Sequence, residues 1–226
     1  LAALYNALKV VGKKFEEVRI VINGVGAAGM GVAKGLIVAG NKNIILCDRH
    51  GALRVYRTVG MNWAKSEIAR LVGPQDVKGT LAEVIRGADV FIGLSGPGLV
   101  TPEMIASMAP DPIVFALALP EPEISEAEAL AAGAAVAANG LPDSTNQIRS
   151  SLVTPGFFRG CLDVGATRVN IDMYLAAARA LADIIPAEKV SPSNIIPRQM
   201  DWHISPTIAR AVSQAAQETG VAGIGP

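Results

Sequence analysis

The sequence predicts an α/β fold built on a doubly wound, mostly parallel β-sheet with extra C-terminal helices. Short apolar runs rich in Val and Ile alternate with helix-forming segments from residue 18 to residue 138, and the pattern is helical from residue 157 onward. Alternation of this kind is typical of parallel sheets with right-handed crossovers. The composition agrees, because half of the residues are apolar and only 18% are charged, as expected when helices cover both faces of a sheet.

The first elements follow from the apolar pattern. Residues 1–9 carry apolar side chains at the i, i+3, i+4, i+7 spacing of an amphipathic helix, with no N-cap before them. We therefore expect the chain to begin in the middle of a helix, as the C-terminal part of a longer polypeptide. Strands at 18–22 and 43–48 flank a helix at 30–39, and a short helix follows at 63–71. For a third strand the candidate is a short edge strand near Val77.

Capping residues mark the second half of the sheet. A helix at 80–87 leads to a strand at 89–94, and Thr101 as N-cap with Pro102 in the first turn opens the next helix. A strand at 113–119, a helix at 125–132 that Gly133 ends, and a strand at 134–138 complete this half. The remaining predicted helices cover residues 157–162, 169–185 and 206–218.

A glycine-rich turn after the first predicted strand indicates a dinucleotide-binding site of the Rossmann type. Gly24 allows a sharp turn from strand to helix, Gly26 lets the backbone approach a pyrophosphate, and Gly29 lets the helix pack against the strand. The anion would bind the N–H groups of Ala27 and Ala28 at the positive end of the helix dipole. A glycine turn without a ligand is the alternative, but strand, turn, helix and acid follow one another in the order that the motif requires.

The end of the second predicted strand favours NAD over NADP. Asp48 lies 24 positions after Gly24, close to the spacing at which a carboxylate accepts a hydrogen bond from the ribose 2′-OH. A 2′-phosphate would be repelled there, so NAD is the predicted cofactor and NADP is less favoured. Arg49 weakens this preference, because its guanidinium could pair with a phosphate.

Further loops follow the other predicted strands at the same edge, where ligands bind to open parallel sheets. Ser95 and Gly96 are expected to contact the nicotinamide ribose, although a plain turn explains these residues equally well. The loops at 119–122 and 139–147 complete this edge. Carboxylates beside the loops are expected to be solvated: Asp111, Glu121 and Glu123.

Composition also narrows the class of protein. The formal net charge is zero and Lys and Arg are scattered, so neither nucleic acid nor an anionic membrane is an expected partner. No apolar run is long enough to span a bilayer, and no signal peptide is evident, so we expect a cytoplasmic protein. Cys47 and Cys161 show no metal-ligand spacing and are expected to be buried free thiols. Apolar helices at both ends favour a homodimer or a higher homo-oligomer, or contacts with the rest of a longer chain.

Over nearly its whole length the sequence resembles the NAD-binding domain of bacterial-type malic enzymes. The matching stretches are residues 1–9, 23–29, 47–49, 78–81, 88–93, 99–108, 112–117, 146–147, 155–156 and 218–222. The resemblance implies a single NAD(P)-binding domain over residues 1–226, with residues 157–226 as its helical C-terminal part. It further implies a protein that oxidises L-malate with NAD and Mg²⁺ or Mn²⁺ and decarboxylates the product to pyruvate.

The resemblance places the catalytic groups outside this chain. In the family, a Tyr, a Lys and three metal-binding carboxylates perform the chemistry, and all of them precede the position of Leu1. We therefore expect no catalytic residue and no metal ligand here. The chain alone should bind the cofactor without turning over malate.

Three positions depart from the family pattern near the substrate. Leu119, on the cofactor side, stands where the family has Asn, and Arg149 and Ser150 stand where it has an Asn–Asn pair, while Asn146 matches. Asn146, Arg149 and Ser150 are the candidate substrate-pocket residues. Arg149 could clamp a carboxylate, which would indicate another 2-hydroxy acid as substrate, or it could face solvent. A non-catalytic cofactor-binding or assembly module is the remaining alternative.

Overall fold

The computed structural model describes residues 1–72, 77–198 and 200–223. The chain divides into two compact units. One consists of Val11–Asn146, and the other of Leu1–Val10 together with Gln147–Pro226. The helices, in chain order, are α1 (Ala2–Val11), α2 (Ala27–Val38), α3 (Trp63–Leu71), α4 (Leu81–Val84), α5 (Pro102–Ala106), α6 (Glu126–Ala131), α7 (Thr154–Asp163), α8 (Ile171–Asp183) and α9 (Ile204–Glu218).

The unit Val11–Asn146 is organised around a β-sheet that has six strands among the described residues. These are β1 (Ile20–Asn23), β2 (Ile44–Asp48), β3 (Gly51–Ala52), β4 (Val90–Gly93), β5 (Ile113–Ala116) and β6 (Val136–Asn139). Their order is β3-β2-β1-β4-β5-β6, and every pair is parallel except β2–β3. The strand order reverses between β1 and β4, the point at which doubly wound sheets bind ligands. The predicted α/β, Rossmann-like fold class is confirmed.

The core of this unit explains why its strands lack apolar–polar alternation. Every residue of β1, β4, β5 and β6 is buried. On one side of the sheet Val21, Phe91 and Val114 pack in a cluster with Ile85 and Ile105 from the helical segments. Strands that are covered on both faces read as continuous apolar runs.

Two capping predictions agree with the structure. The Thr101 side chain accepts the N–H of Met104 at 3.4 Å, and Pro102 occupies the first turn of α5. Gly133, just after α6, has a φ of +103°, a backbone conformation that L side chains rarely adopt. The start of α5 and the end of α6 therefore follow from the chemistry of the residues at those positions.

Two predicted strands are corrected. β5 ends at Ala116, before the predicted residue 119, because the Ala118 N–H donates to the Glu123 carboxylate and not to a neighbouring strand. Val77 lies outside any strand, and the sheet edge is formed by β3, antiparallel to β2. Gly51, with a φ of +86°, turns the chain back directly after β2. Residues 73–76, beside Val77, lie outside the described residues.

The unit of Leu1–Val10 and Gln147–Pro226 is helical. Helix α7 packs closely on α9, because a Cβ at Gly160 would overlap the Ala209 carbonyl group. The buried Asn6 amide in α1 donates to the carbonyl oxygens of Ala182 and Ile195 at 3.0 and 3.1 Å. That residues 157–226 complete a single domain with the sheet stays a prediction.

Candidate cofactor-binding site

The glycine turn is shaped by two contacts that exclude a side chain. Gly24 has a φ of +113°, and a Cβ there would overlap the carbonyl group of Leu94 after β4. A Cβ at Gly29 would overlap the carbonyl oxygen of Gly24. These contacts hold α2 tightly against the β1–α2 turn, as the sequence predicted for both glycines.

Gly26 has a different environment, because it faces open space. It is the N-cap of α2, is exposed, and has no neighbouring atom within 4 Å of the position that a Cβ would occupy. An α-helix leaves its first N–H groups without an intrahelical acceptor, and Gly26 has no side chain to accept from them. Ala27 and Ala28 are exposed beside it. The start of α2 therefore fits a pyrophosphate, with donors and room in the same place.

Asp48, at the end of β2, is held by two cationic side chains. Arg57 donates from Nη1 to Oδ1 at 2.8 Å and from Nη2 to Oδ2 at 2.6 Å, and Lys65 Nζ donates to Oδ2 at 2.6 Å. The His50 N–H donates to Oδ1 at 2.8 Å. The side chains of Asp48 and Arg57 are only 10% and 7% exposed, so this cluster is largely withdrawn from water.

This arrangement keeps Asp48 ionised and its oxygens fully engaged. Burial by itself raises the pKa of Asp48, but the hydrogen bonds from Arg57, Lys65 and the His50 N–H outweigh it and hold the pKa well below its usual range. A carboxylate accepts about four hydrogen bonds, and all four are made. A ribose hydroxyl can therefore bind Asp48 only by replacing one of these donors.

One donor in the cluster lacks an acceptor among the described residues. The Nε of Arg57 is buried and makes no hydrogen bond. Buried N–H groups of this kind are rare, since each costs about 1–3 kcal/mol. An oxygen of a bound ligand would satisfy it, which fits a ribose or phosphate oxygen beside Asp48.

Sequence reasoning named Arg49 as a cation that could pair with a phosphate, which stays a prediction, and it missed Arg57 and Lys65. Arg49 is exposed, and its Nε lies 3.2 Å from Nε2 of His50. The two residues that do contact Asp48 follow it by 9 and 17 positions, in the loop after β3 and in α3. No local motif marks them, and only the tertiary fold brings them to the carboxylate.

The loops after β4 and β5 carry the other predicted cofactor contacts. Ser95 is exposed, and Gly96 has no atom within 4 Å of a Cβ position. Leu119 is 63% exposed and precedes Pro120 through a cis peptide bond. The expectation that Glu123 is solvated is wrong, because Glu123 is 0% exposed and accepts hydrogen bonds from both loops.

The substrate-pocket candidates have different surroundings. Asn146 is buried in the sheet-containing unit, and its Nδ2 donates to the Ala137 carbonyl at 3.2 Å. Arg149 is partly buried and Ser150 is exposed, and both belong to the helical unit. Their shared role in a substrate pocket stays a prediction.

No group of three His, Cys, Asp or Glu side chains that could hold a metal ion occurs in residues 1–72, 77–198 and 200–223. Cys47 is a buried free thiol as predicted, whereas Cys161 is only partly buried. Burial, with a smaller contribution from the Asp48 charge, raises the pKa of Cys47 to about 12. Within the same ranges, none of the helices has the length and apolar character needed to cross a membrane.

Comparison with known proteins links this chain to one family. Residues 1–217 match the family model described as malic enzyme, NAD binding domain. The bifunctional malic/malolactic enzyme of Bacillus subtilis is 45% identical over 224 residues, which cover 99% of this chain and 55% of that protein. The NAD-dependent malic enzyme of Geobacillus stearothermophilus is 45% identical over 222 residues, covering 98% of this chain and 46% of that protein.

The relatives differ in cofactor. The NADP-dependent malic enzyme of Escherichia coli is 40% identical over an alignment of 238 positions, which covers 98% of this chain and 31% of that protein. Among solved structures, malic enzyme from Pyrococcus horikoshii matches with a TM-score of 0.94 and 37% identity, covering 100% of this chain and 54% of that one. The chain thus spans about half the length, or less, of these four proteins.

Proposed function

The chain belongs to the malic enzyme family, as its NAD-binding domain, and we propose that it holds NAD at the carboxyl ends of β1, β2 and β4. The observation that carries this proposal is the open N-terminus of α2. Gly26 leaves room there, Ala27 and Ala28 are exposed and no side chain caps the helix, while Gly24 and Gly29 keep the turn tight. These donors would bind the pyrophosphate.

The ribose next to the adenine is assigned to Asp48. Lys65 is the donor that a ribose hydroxyl replaces, since its flexible ammonium also donates to the Gly60 carbonyl at 2.9 Å and keeps that partner. Arg57 stays in place and offers its unpaired Nε. When bound, NAD supplies the hydride acceptor, and this chain orients it.

We propose that NAD is preferred over NADP, but by a modest margin. The carboxylate of Asp48 disfavours a 2′-phosphate, whereas Arg57 and Lys65 beside it favour one. The three side chains together carry a formal charge of +1, so the two cations offset the repulsion expected of a lone Asp48. The preference for NAD then rests on the hydrogen bond that the ribose 2′-OH donates to Asp48 and that a 2′-phosphate cannot donate. Arg49, with its exposed side chain, adds a further positive charge nearby.

For the whole protein we propose oxidative decarboxylation of L-malate to pyruvate with Mg²⁺ or Mn²⁺. The catalytic side chains and metal ligands are assigned to residues outside this chain. A cytoplasmic location and a homodimeric or higher oligomeric state complete the proposal. This chain alone would bind the cofactor and would not turn over malate.

A second candidate is oxidation of another 2-hydroxy acid. Leu119 favours it, because an exposed apolar side chain stands where the family pattern has an amide that donates and accepts hydrogen bonds. Arg149 and Ser150, in place of an Asn–Asn pair, point in the same direction.

Isothermal titration of the chain with NAD⁺ and NADP⁺ tests the cofactor assignment. NAD⁺ should bind more tightly, and the absence of binding to either nucleotide would refute it. An assay for pyruvate with L-malate, NAD⁺ and Mn²⁺ tests whether this chain binds the cofactor without catalysing the reaction. Turnover by this chain alone would contradict the assignment of catalysis to residues outside it. Turnover of another 2-hydroxy acid, but not of malate, by the whole protein would favour the second candidate.

A further inference from the structure

Glu123, between β5 and α6, is a buried carboxylate whose two oxygens contact two different loops. Its Oε1 accepts the N–H of Ser95 at 2.9 Å, and its Oε2 accepts the N–H of Ala118 at 3.1 Å. Ser95 belongs to the loop after β4, and Ala118 belongs to the loop after β5. The side chain is 0% exposed, so these hydrogen bonds are shielded from water.

The end of β4 provides the space for this carboxylate. A Cβ on Gly93 would overlap the carboxylate carbon of Glu123, so a side chain at that position would displace it. The backbone adds a third link, because the carbonyl oxygen of Glu123 accepts the N–H of Val100 at 3.2 Å. Glu123 is thus tied to both ends of the β4–α5 connection and to the end of β5.

The chemistry of the side chain suits the two N–H donors that face it. A buried carboxyl group is costly unless hydrogen bonds compensate it. Each of its oxygens is an acceptor, so it can satisfy two facing N–H groups together. A glutamine of nearly the same size could accept a hydrogen bond from one of these N–H groups, but its own NH₂ group would then face the other N–H group. An apolar side chain would satisfy neither.

We propose that Glu123 is a positioning residue that fixes the loops after β4 and β5 relative to one another, and so shapes the nicotinamide side of the cofactor cleft. The inference rests on the proposed function, because it assigns these loops to the bound NAD. The start of α2 and the Asp48 cluster, which are assigned to the pyrophosphate and the adenine ribose, make none of these contacts. Glu123 therefore hydrogen-bonds loops assigned to the nicotinamide half, and it reaches the pyrophosphate turn only through the packing of Gly24 against Leu94, next to Ser95.

ADP lacks the nicotinamide half of NAD⁺, so comparing the binding of the two ligands separates a local effect of Glu123 from a general loss of structure. Glu123→Gln should weaken binding of NAD⁺ to the chain by about tenfold or more, and should change binding of ADP by no more than about twofold. Gly93→Ala, which keeps the carboxylate but removes its space, should give the same pattern. Glu16→Gln is the matched control, an identical substitution at an exposed position before β1 and outside the loops assigned to NAD, and should change neither affinity.

Several outcomes would overturn the proposal. Unchanged NAD⁺ binding in Glu123→Gln would do so, and so would an equal loss of NAD⁺ and ADP binding in both variants. Failure of the unsubstituted chain to bind NAD⁺ or ADP would instead refute the proposed function. If the variants do not fold, amide hydrogen exchange of the unsubstituted chain decides: NAD⁺, but not ADP, should slow exchange at Ser95 and Ala118 together. Exchange that slows at only one of them, or at neither, contradicts the proposal.

Discussion

Replacing Asp48 with Asn should shift the cofactor preference from NAD towards NADP. The substitution keeps the size of the side chain and removes its charge, so the cluster of Asp48, Arg57 and Lys65 goes from a formal charge of +1 to +2. One unit charge about 6 Å from a phosphate contributes about 3 kcal/mol at an effective dielectric constant of about 20, and less once salt screens it. We take about 2 kcal/mol, which corresponds to an affinity for NADP⁺ about 30-fold higher.

The same substitution should weaken NAD⁺ binding, since the ribose loses a charged acceptor. The assay is isothermal titration of each variant with both nucleotides at one fixed salt concentration. Lys65→Met gives the opposite sign, because it removes a cation and frees one lone pair of Asp48: NADP⁺ affinity should fall while NAD⁺ affinity is kept. Arg70→Gln, which removes a cation from an exposed position on α3, is the control and should leave the ratio of the two affinities unchanged.

Asp48→Asn also leaves two poorly exposed cations without a charged partner, so its melting temperature must be measured first. If it does not fold, Lys65→Met alone tests the assignment. The reasoning is refuted if Lys65→Met leaves the ratio of NAD⁺ to NADP⁺ affinity unchanged, or if folded Asp48→Asn still prefers NAD⁺ to the same extent.

Three further predictions concern stability. In the unfolded chain the Cys47 thiol ionises above about pH 9, whereas in the folded chain its pKa is raised to about 12 and it stays protonated. Between pH 8 and pH 10 the free energy of unfolding should therefore fall by about 1.5 kcal/mol more in the unsubstituted chain than in Cys47→Ala. Urea titrations of both chains at the two pH values measure this, and equal losses of stability would contradict it. Ser125→Ala removes the capping box with Glu128 at the start of α6 and should cost about 1 kcal/mol by the same method. Gly160→Val, whose side chain would overlap the Ala209 carbonyl group, should cost about 3 kcal/mol or more, and a melting temperature within a degree of the original would refute the close packing of α7 on α9.

Local chemistry accounts for the parts of the fold that could be predicted. The helix at 63–71 was predicted at its observed bounds, and Thr101, Pro102 and Gly133 mark the helix ends that their side chains or backbone require. The edge strand Gly51–Ala52 was missed, because two residues are too short to show an apolar–polar period. β5 was predicted three residues too long, since the apolar run continues past Ala116 after the ladder has ended.

The candidate site also contains residues that could be predicted from the sequence and residues that could not. Gly24 and Gly29 could be predicted because the strand–turn–helix motif marks both in the sequence. The structure shows the contacts that require them, of which that of Gly24 is with Leu94 in another loop. Arg57, Lys65 and Glu123 could not, since their partners lie in other loops and become neighbours only in the folded chain. A carboxylate in a loop is usually solvated, and only the folded structure shows that Glu123 is buried beside Gly93.

The most direct test of the central claim, that NAD binds at the open start of α2, is an NAD⁺ titration of Gly26→Ser beside Gly31→Ala. Gly26 has a φ of −89°, which Ser adopts without strain, and a serine there would cap the same N–H groups that the pyrophosphate needs. Gly31 lies further along α2, is exposed and also faces open space. Gly26→Ser should therefore raise the melting temperature and weaken NAD⁺ binding by about tenfold or more, whereas Gly31→Ala should keep full affinity. NAD⁺ binding of unchanged strength in a folded Gly26→Ser chain would contradict the claim.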